Sequence, residues 1–295
     1  MSERELTGSP GMLPMFARAG VSAIPGASLL PLPFIGGRGD GLPDLTLTLP
    51  DVAIDRERLS EYDRVCGFDV SDVLPPTYPH MLAFPLQLSL MTDPSFPFGA
   101  IGLVHITNRI VQHRPVTAGE RLSLRVWAEG LEPHPRGQQF SLRSEARVGG
   151  ELVWEEVSTN LRRGGGSGGD PARADSLPSS DGLAAAATWK LPGDLGRRYA
   201  GVSGDYNPIH VHPLSARLFG FPRAIAHGMW TKARCLAALG PRLPEAFTAE
   251  AAFRKPILLP ATVEYVEGGG DAGILFGVRD AGEGTGHLDG RVSFG

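Results

Sequence analysis

Apolar and polar positions along the chain form two successive patterns of the same kind. In the second half, HGMWTKARCLAALG (residues 227–240) places small or apolar residues at helical spacing, namely Met229, Ala233, Leu236, Ala237 and Gly240. Short strand-like runs follow at residues 248–259, 261–267, 273–280 and 286–294, separated by Gly and Pro. The pattern predicts one helix followed by antiparallel strands.

The first half repeats this order. HMLAFPLQLSLM (residues 80–91) is apolar almost all round, which predicts a buried helix bent at Pro85. Strand-like runs follow at residues 102–112, 120–129, 138–148 and 151–161, and Gly149-Gly150 indicates a hairpin between the last two. HRPVTAGERLSLRV and RKPILLPATVEYVE align with Pro115 over Pro256. We therefore predict an internal duplication of an α+β unit, in which an antiparallel sheet wraps around a central helix.

Composition divides the chain between these two units. Residues 164–187 are dense in Gly, Ser, Pro and Ala, which is typical of a flexible linker. The expected domains are residues 41–163 and 188–295, and residues 1–40 are expected to form an irregular arm. Pairing two units in one chain as a pseudo-dimer covers sheet edges that a single unit would leave open.

Bulk properties exclude several classes of function. A formal net charge of -4 gives no electrostatic reason to expect nucleic acid as a partner. The sequence contains no dinucleotide fingerprint and no phosphate-binding Gly-Lys-Ser/Thr loop. No apolar run is long enough to predict stable membrane insertion, and Cys66 and Cys235 are expected to fill core space in a reducing compartment. The expected location is cytoplasmic.

The candidate chemistry lies in YAGVSGDYNPIHVHPLSARLFGFPRAIAHGMW, residues 199–230. Short helices are predicted at residues 195–202, capped by Asp194, and at residues 213–219, so that Asp205 and His210 lie on an irregular connection between them. Taken singly, Asp205 and Asn207 are explained as turn formers and His210 as a hydrogen-bonded loop residue. His210 and His212, with Asp205 and His227, also have the residue types of a zinc site, although their spacing is weak support for one.

The whole stretch resembles the signature of MaoC-like hydratases and dehydratases, the hydratase 2 type acting on (R)-3-hydroxyacyl thioesters. The resemblance rests on Tyr199, Ser203-Gly204-Asp205, Asn207-Pro208-Ile209-His210 and Ala216, and on FGFPRAIAHGM at residues 219–229. The tandem arrangement, with TYPHMLAFPLQLSLM in the first half, is similar to the double hot-dog dehydratases of actinobacteria. The resemblance implies a double hot-dog fold and a reaction that uses no metal and no redox cofactor.

The resemblance also implies roles for single residues. Asp205 would handle the proton at C2 of the substrate, His210 would handle the water, and Asn207 would orient them. The Gly228 N–H, at the predicted start of the central helix, is expected to bind the thioester oxyanion. Expected substrate contacts are Tyr199, Ser203, Ile225, Ala226, His227 and Met229, and Tyr206 falls at the variable position of the motif.

The first half is expected to lack a catalytic pair, because Phe68 falls where Asp205 would be and no His follows it at the matching distance. Its expected role is to complete the sheet and widen the groove for an acyl chain, with His80 and His105 as core or interface residues. The expected partner is an acyl-CoA or acyl-carrier-protein thioester, and a further homodimer is left open. The basic candidates for its phosphates are Arg114, Arg223, Arg254 and Lys255.

Two other functions remain open at this point. A hot-dog thioesterase would direct water at the carbonyl carbon and release the thiol. A non-catalytic acyl-thioester-binding subunit of a larger complex would bind without turnover.

Overall fold

The structure, a computed structural model, describes residues 2–12, 15, 41–100, 102–164, 177–270 and 273–294. The strands are β1 Ser2–Glu5, β2 Leu45–Val52, β3 Leu103–Gln112, β4 Leu122–His134, β5 Gly137–Val148, β6 Glu151–Arg163, β7 Ala184–Leu191, β8 Phe247–Phe253, β9 Ala261–Gly270, β10 Gly273–Asp280 and β11 Gly286–Phe294. The helices named below are α1 Arg56–Cys66, α2 Tyr78–Met91, α3 Leu195–Ser203, α4 Pro208–Val211, α5 Pro213–Leu218 and α6 Gly228–Leu239, followed by a 3₁₀ turn at Gly240–Arg242.

The strands form one continuous sheet whose order reveals the duplication. The order is β1-β2-β4-β5-β6-β3-β8-β11-β10-β9-β7. Read outwards from its centre, β3-β6-β5-β4-β2 in the first half corresponds to β8-β11-β10-β9-β7 in the second. The halves join through the antiparallel pair β3 and β8, in which Ile110 lies opposite Ala249.

One long apolar helix lies against each half of the sheet. Helix α2 contacts β2, β4 and β5, and α6 contacts β10 and β11. Nearly all of α2 is buried, and the helix continues through Pro85 to Met91. In α6, the predicted apolar positions Met229, Ala233 and Leu236 are buried. The expected α+β double hot-dog fold is confirmed.

Two boundaries differ from the expected ones. Strand β1, within the expected irregular arm, pairs in parallel with β2, whereas residues 13–14 and 16–40 lie outside the described residues. Strand β7 begins at Ala184, so the last four residues of the expected linker are strand, paired with β9. The run of alanines is mostly exposed at the sheet edge, where backbone pairing needs no large side chains. Residues 165–176 of the linker lie outside the described residues.

Two further expectations concern the cysteines and membrane insertion. Cys66 and Cys235 are free and buried, and burial raises the pKa of both thiols. Within the described ranges, no helix is long and apolar enough to cross a membrane.

Candidate active site

Helix α3 brings the first part of the motif to the site. It ends at Gly204, whose φ of 83° is the left-handed conformation that favours glycine at a helix C-terminus. Asp205 follows directly, and its backbone N–H donates to Ser203 Oγ at 3.1 Å. Its own carboxylate accepts a hydrogen bond from the Asn207 N–H at 3.1 Å. These local bonds hold the Asp205 carboxylate in a defined position.

His210 lies on the single-turn helix α4, not on an irregular connection as expected. Asn207 caps this turn by accepting from the Ile209 N–H, and Pro208 is its first residue. Asn followed by Pro is a helix-start signal, so the turn was visible in the sequence. His210 Nδ1 lies 2.8 Å from the Ile225 carbonyl oxygen. A carbonyl only accepts, so Nδ1 carries the proton and Nε2 is left for chemistry.

His227 contacts both members of the proposed pair. Its ring stacks on that of His210, with centroids 3.7 Å apart and planes inclined by 23°. Its Nε2 donates to the Asp205 carbonyl oxygen at 3.0 Å and lies 3.8 Å from a carboxylate oxygen of Asp205. Burial lowers the pKa of His227 well below its ordinary value, so the ring is neutral. The buried ring of Tyr199 also packs against the His227 ring, with centroids 4.8 Å apart.

Desolvation shifts the pKa values of the half-buried Asp205 and His210 in opposite directions. The pKa of Asp205 is raised by desolvation, against a smaller lowering by His210. The pKa of His210 is lowered by desolvation, against a smaller raising by Asp205. Desolvation favours the uncharged form of each group. Both shifts are towards the state in which the Asp205 carboxyl could give a proton and the His210 imidazole could accept one.

Gly228 is the first residue of α6, so its N–H has no partner within the helix. The preceding residue, His227, makes no side-chain capping bond to the helix. A Cβ built on Gly228 would lie 3.0 Å from the ring of Phe253, a tight contact. Glycine therefore keeps the backbone amide accessible beside Phe253.

These groups open into one cavity of about 230 Å³ between the halves of the chain. All ten of the predicted site residues line it: Tyr199, Ser203, Asp205, Asn207, His210, Ile225, Ala226, His227, Gly228 and Met229. The first half contributes an apolar wall from α2 and nearby strands, namely Met81, Phe84, Leu88, Met91, Leu103 and Leu142.

The four basic candidates separate into two groups. Arg254 and Lys255 line the cavity, together with Arg163, which the sequence did not indicate. Arg114 instead pairs with Glu120 and Glu151, and Arg223 donates to the Pro260 carbonyl oxygen.

His80 and His105 lie between the halves, and both also line the cavity, which the core-or-interface expectation did not include. His80 Nδ1 lies 2.7 Å from the buried Glu156 carboxylate. Tyr206 is exposed.

The structure also shows which histidines a metal ion could use. Asp205, His210 and His227 have ligand atoms that all lie within 4.8 Å of one another. His212 is directed to another task, because its Nδ1 accepts from the Leu214 N–H at the start of α5. His210 Nδ1 and His227 Nε2 are already bonded to carbonyl oxygens. The expectation that the site works without a metal stays a prediction.

Comparison with known proteins accords with this geometry. A family model described as MaoC like domain matches residues 186–268, which include the motif and the start of α6. The 3-hydroxyacyl-thioester dehydratase X of Mycobacterium tuberculosis is 36% identical over 288 residues, covering 96% of this chain and 98% of that protein. The chain belongs to the MaoC-like dehydratase family.

A solved structure and a second relative extend the comparison. A crystal structure of HtdX of Mycobacterium tuberculosis matches with a TM-score of 0.75 at 37% identity, covering 84% of this chain and 98% of that one. The peroxisomal enoyl-CoA hydratase 2 of Arabidopsis thaliana is 28% identical over 200 residues, covering 63% of this chain and 64% of that protein. The MaoC-like resemblance seen in the sequence is confirmed.

Proposed function

We propose that this MaoC-like chain is a hydro-lyase that reversibly dehydrates (R)-3-hydroxyacyl thioesters to trans-2-enoyl thioesters. The observation that carries the proposal is the position of the Asp205 carboxylate and His210 in one cavity with the Gly228 N–H. The similarity to a 3-hydroxyacyl-thioester dehydratase and to an enoyl-CoA hydratase 2 supports it.

In the hydration direction, His210 Nε2 accepts a proton from water as the water attacks C3. Asp205 gives its proton to C2, and the pair then holds one proton in the other arrangement. Dehydration reverses these transfers: Asp205 removes the C2 proton and His210 protonates the departing hydroxide. A positioned acid or base of this kind contributes about a hundred- to ten-thousandfold. Asn207 orients the pair through its backbone bond to Asp205 and its cap on α4.

The thioester oxygen becomes negatively charged when C2 carries excess electron density. The Gly228 N–H, at the N-terminus of the buried helix α6, is our proposed donor to that oxygen. Residues of both halves line the cavity and limit the water around such a bond, which strengthens it.

The acyl chain would lie against the apolar wall of α2. The first half thus supplies room for the chain while the second half supplies the chemistry. At the more exposed margin, Arg163 and Lys255 are positioned to meet the phosphates of coenzyme A or of a carrier protein's phosphopantetheine. Cytoplasmic location and a further homodimer stay predictions.

The test is the absorbance of the enoyl thioester during incubation with the full-length protein and with crotonyl- and dodecenoyl-CoA. Loss of absorbance is expected with the native chain and absent in Asp205→Asn and His210→Ala, each checked for an unchanged circular dichroism spectrum. Full activity in either folded variant would exclude the proposed pair. Release of free thiol, measured with a disulfide dye, would point to a thioesterase instead. Tight binding of enoyl-CoA without turnover would indicate a binding subunit.

A further inference from the structure

A row of polar side chains interrupts the inner face of the sheet where apolar residues would be expected. Strand β6 places Glu156, Ser158 and Asn160 at alternate positions, and therefore on one face. Strand β3 lies beside it, with Asn108 opposite Ser158 and His105 opposite Asn160. We call these five residues the polar seam. Burying polar groups is unfavourable unless they find partners, so such a row needs a reason.

One end of the polar seam is saturated with hydrogen bonds. The buried Glu156 carboxylate lies 2.7 Å from His80 Nδ1 and accepts from Gln87 at 3.0 Å and from Asn108 at 2.6 Å. Asn108 also donates to Ser158 Oγ at 3.0 Å, and the buried Lys232 ammonium of α6 bonds to Asn108 Oδ1 and to the Ala249 carbonyl oxygen. These bonds form one connected network, which fixes the side chains at this end of the polar seam.

The other end of the polar seam faces the cavity and has bonding capacity left. The cavity is lined by three seam residues, His105, Ser158 and Asn160. It is also lined by His80 and Gln87 of α2. Among the described residues, the buried His105 Nε2 atom has no hydrogen-bond partner. Asn160 donates through its nitrogen to the Ser158 carbonyl oxygen, which leaves the amide oxygen as an acceptor. A plain hydrocarbon chain would leave these atoms unsatisfied.

Ring contacts connect this end to the proposed reaction centre. The His105 ring packs against Phe253, with centroids 4.8 Å apart. Phe253 in turn lies 3.0 Å from the Cβ position of Gly228. The His105 ring therefore lies one aromatic ring beyond the amide that we propose binds the thioester, along the cavity wall where the acyl chain would run.

We propose that the polar seam is a specificity subsite for an acyl chain that carries a second hydroxyl group beyond C3. A hydroxyl can donate to the Asn160 amide oxygen, and because it both donates and accepts it can also bond to the His105 ring nitrogen in either tautomer. A carboxylate is disfavoured because the buried Glu156 anion lies directly behind the surface. This assignment rests on the proposed hydratase function and names its substrate class.

The experiment compares 2-enoyl-CoA substrates of one chain length in the native, full-length protein. One is unsubstituted, and the others carry a hydroxyl at successive carbons from mid-chain to the end, a ketone, or a terminal carboxylate. At least one hydroxylated substrate is expected to exceed the unsubstituted one by about tenfold or more in kcat/KM, because the unsubstituted chain leaves buried polar atoms unpaired. Equal values for all substrates, or the highest value for the carboxylate, would overturn the subsite.

Single-residue variants then test which side chains cause the preference for a hydroxylated substrate. His105→Phe keeps a ring beside Phe253, and Asn160→Leu keeps a side chain of similar size; each is expected to abolish the preference while retaining activity on the unsubstituted chain. Thr159→Val, whose side chain lies on the opposite face of β6, is the matched control and is expected to keep it. A preference that persists in both folded seam variants would overturn the assignment.

A binding measurement separates this inference from the proposed reaction. Calorimetry with saturated acyl-CoA, with and without the hydroxyl, measures the affinity that the subsite contributes even if no substrate turns over. Tighter binding of the hydroxylated ligand that is lost in Asn160→Leu would support the subsite alone. Turnover of the unsubstituted chain without any hydroxyl preference would support the hydratase alone.

Discussion

Gly196 lies directly against the backbone of His210. A Cβ built on Gly196 would come within 2.0 Å of the His210 carbonyl oxygen. No side chain can occupy that space, so α3 and α4 approach as closely as they do only because residue 196 is glycine. Helix α3 thereby sets the position of α4, and with it the position of the His210 ring.

Gly196→Ala should therefore displace α4 and reduce kcat by at least about a hundredfold, since displacement of a positioned group by about 1 Å has an effect of this size. Gly201→Ala on the same helix is the matched control, because its Cβ would meet open space. That variant should keep full activity and gain up to about 1 kcal/mol in free energy of unfolding. Steady-state kinetics and urea unfolding check both, and full activity in folded Gly196→Ala would contradict the argument.

Gly228→Pro should reduce kcat by about a hundred- to a thousandfold relative to Gly228→Ala, because only proline removes the N–H. Both variants place a Cβ against Phe253, so their comparison cancels that contact. Proline is tolerated at the first position of a helix, so α6 should persist. Equal kcat values in the two variants would exclude the Gly228 N–H as the oxyanion donor.

The pH profile of kcat/KM should be bell-shaped. The proposed pair works with one proton: a second proton removes His210 as a base, and loss of the proton leaves Asp205 with nothing to donate. The apparent pKa values will belong to the pair, because the two groups shift each other. Rates of enoyl hydration at constant ionic strength across the stable pH range test this. A profile with only a rising limb would instead indicate a single general base.

The free energy of unfolding should increase with pH just above neutrality because of Lys232. Burial lowers its pKa in the folded chain to about 7, whereas an unfolded lysine has a pKa of about 10.4. Between these values the unfolded chain holds a proton that the folded chain has lost, so raising the pH favours folding by up to about 1.4 kcal/mol per pH unit. The effect is best read between pH 7 and about 8.5, before unfolded thiols ionise. Lys232→Met should lose this component of the slope in urea unfolding.

Removal of metals should leave the rate unchanged. In the proposed reaction one member of the Asp205 and His210 pair donates a proton while the other accepts one, and neither task needs a Lewis acid. Full-length protein treated with EDTA and then gel-filtered should retain its kcat. A loss of activity that Zn²⁺ restores would instead assign Asp205, His210 and His227 as metal ligands.

The sequence motif identifies second-half residues that share one cavity, and it can do so because its spacing is local. Asp205 and His210 are five residues apart, and the turn chemistry of Gly204, Asn207 and Pro208 determines how they meet. Gly196 could not be identified in the same way, because its contact with His210 depends on how two helices pack. A glycine inside a predicted helix is otherwise only a weak point in it.

The sequence pattern did not predict the polar seam, for a different reason. The run ELVWEEVSTNL predicts a strand in which apolar and polar positions alternate only roughly, so the pattern does not say which face is buried. The structure turns Glu156 and Ser158 inwards. Their partners Asn108 and Gln87 come from two other elements of the first half, and Asn108 is bonded in turn to Lys232 of α6. No local sequence pattern connects these elements.

The continuous sheet joins two copies of one unit that no longer need to be identical. In a dimer of equal subunits, a buried glutamate placed near the symmetry axis appears twice and faces its own copy. Within one polypeptide, Glu156 of the first unit is linked through Asn108 to Lys232 of the second, an asymmetric hydrogen-bond network that identical subunits could form only twice over. Under the proposed function, the second unit carries out the reaction, and the first unit, with Phe68 where the motif has Asp, is free to hold the substrate.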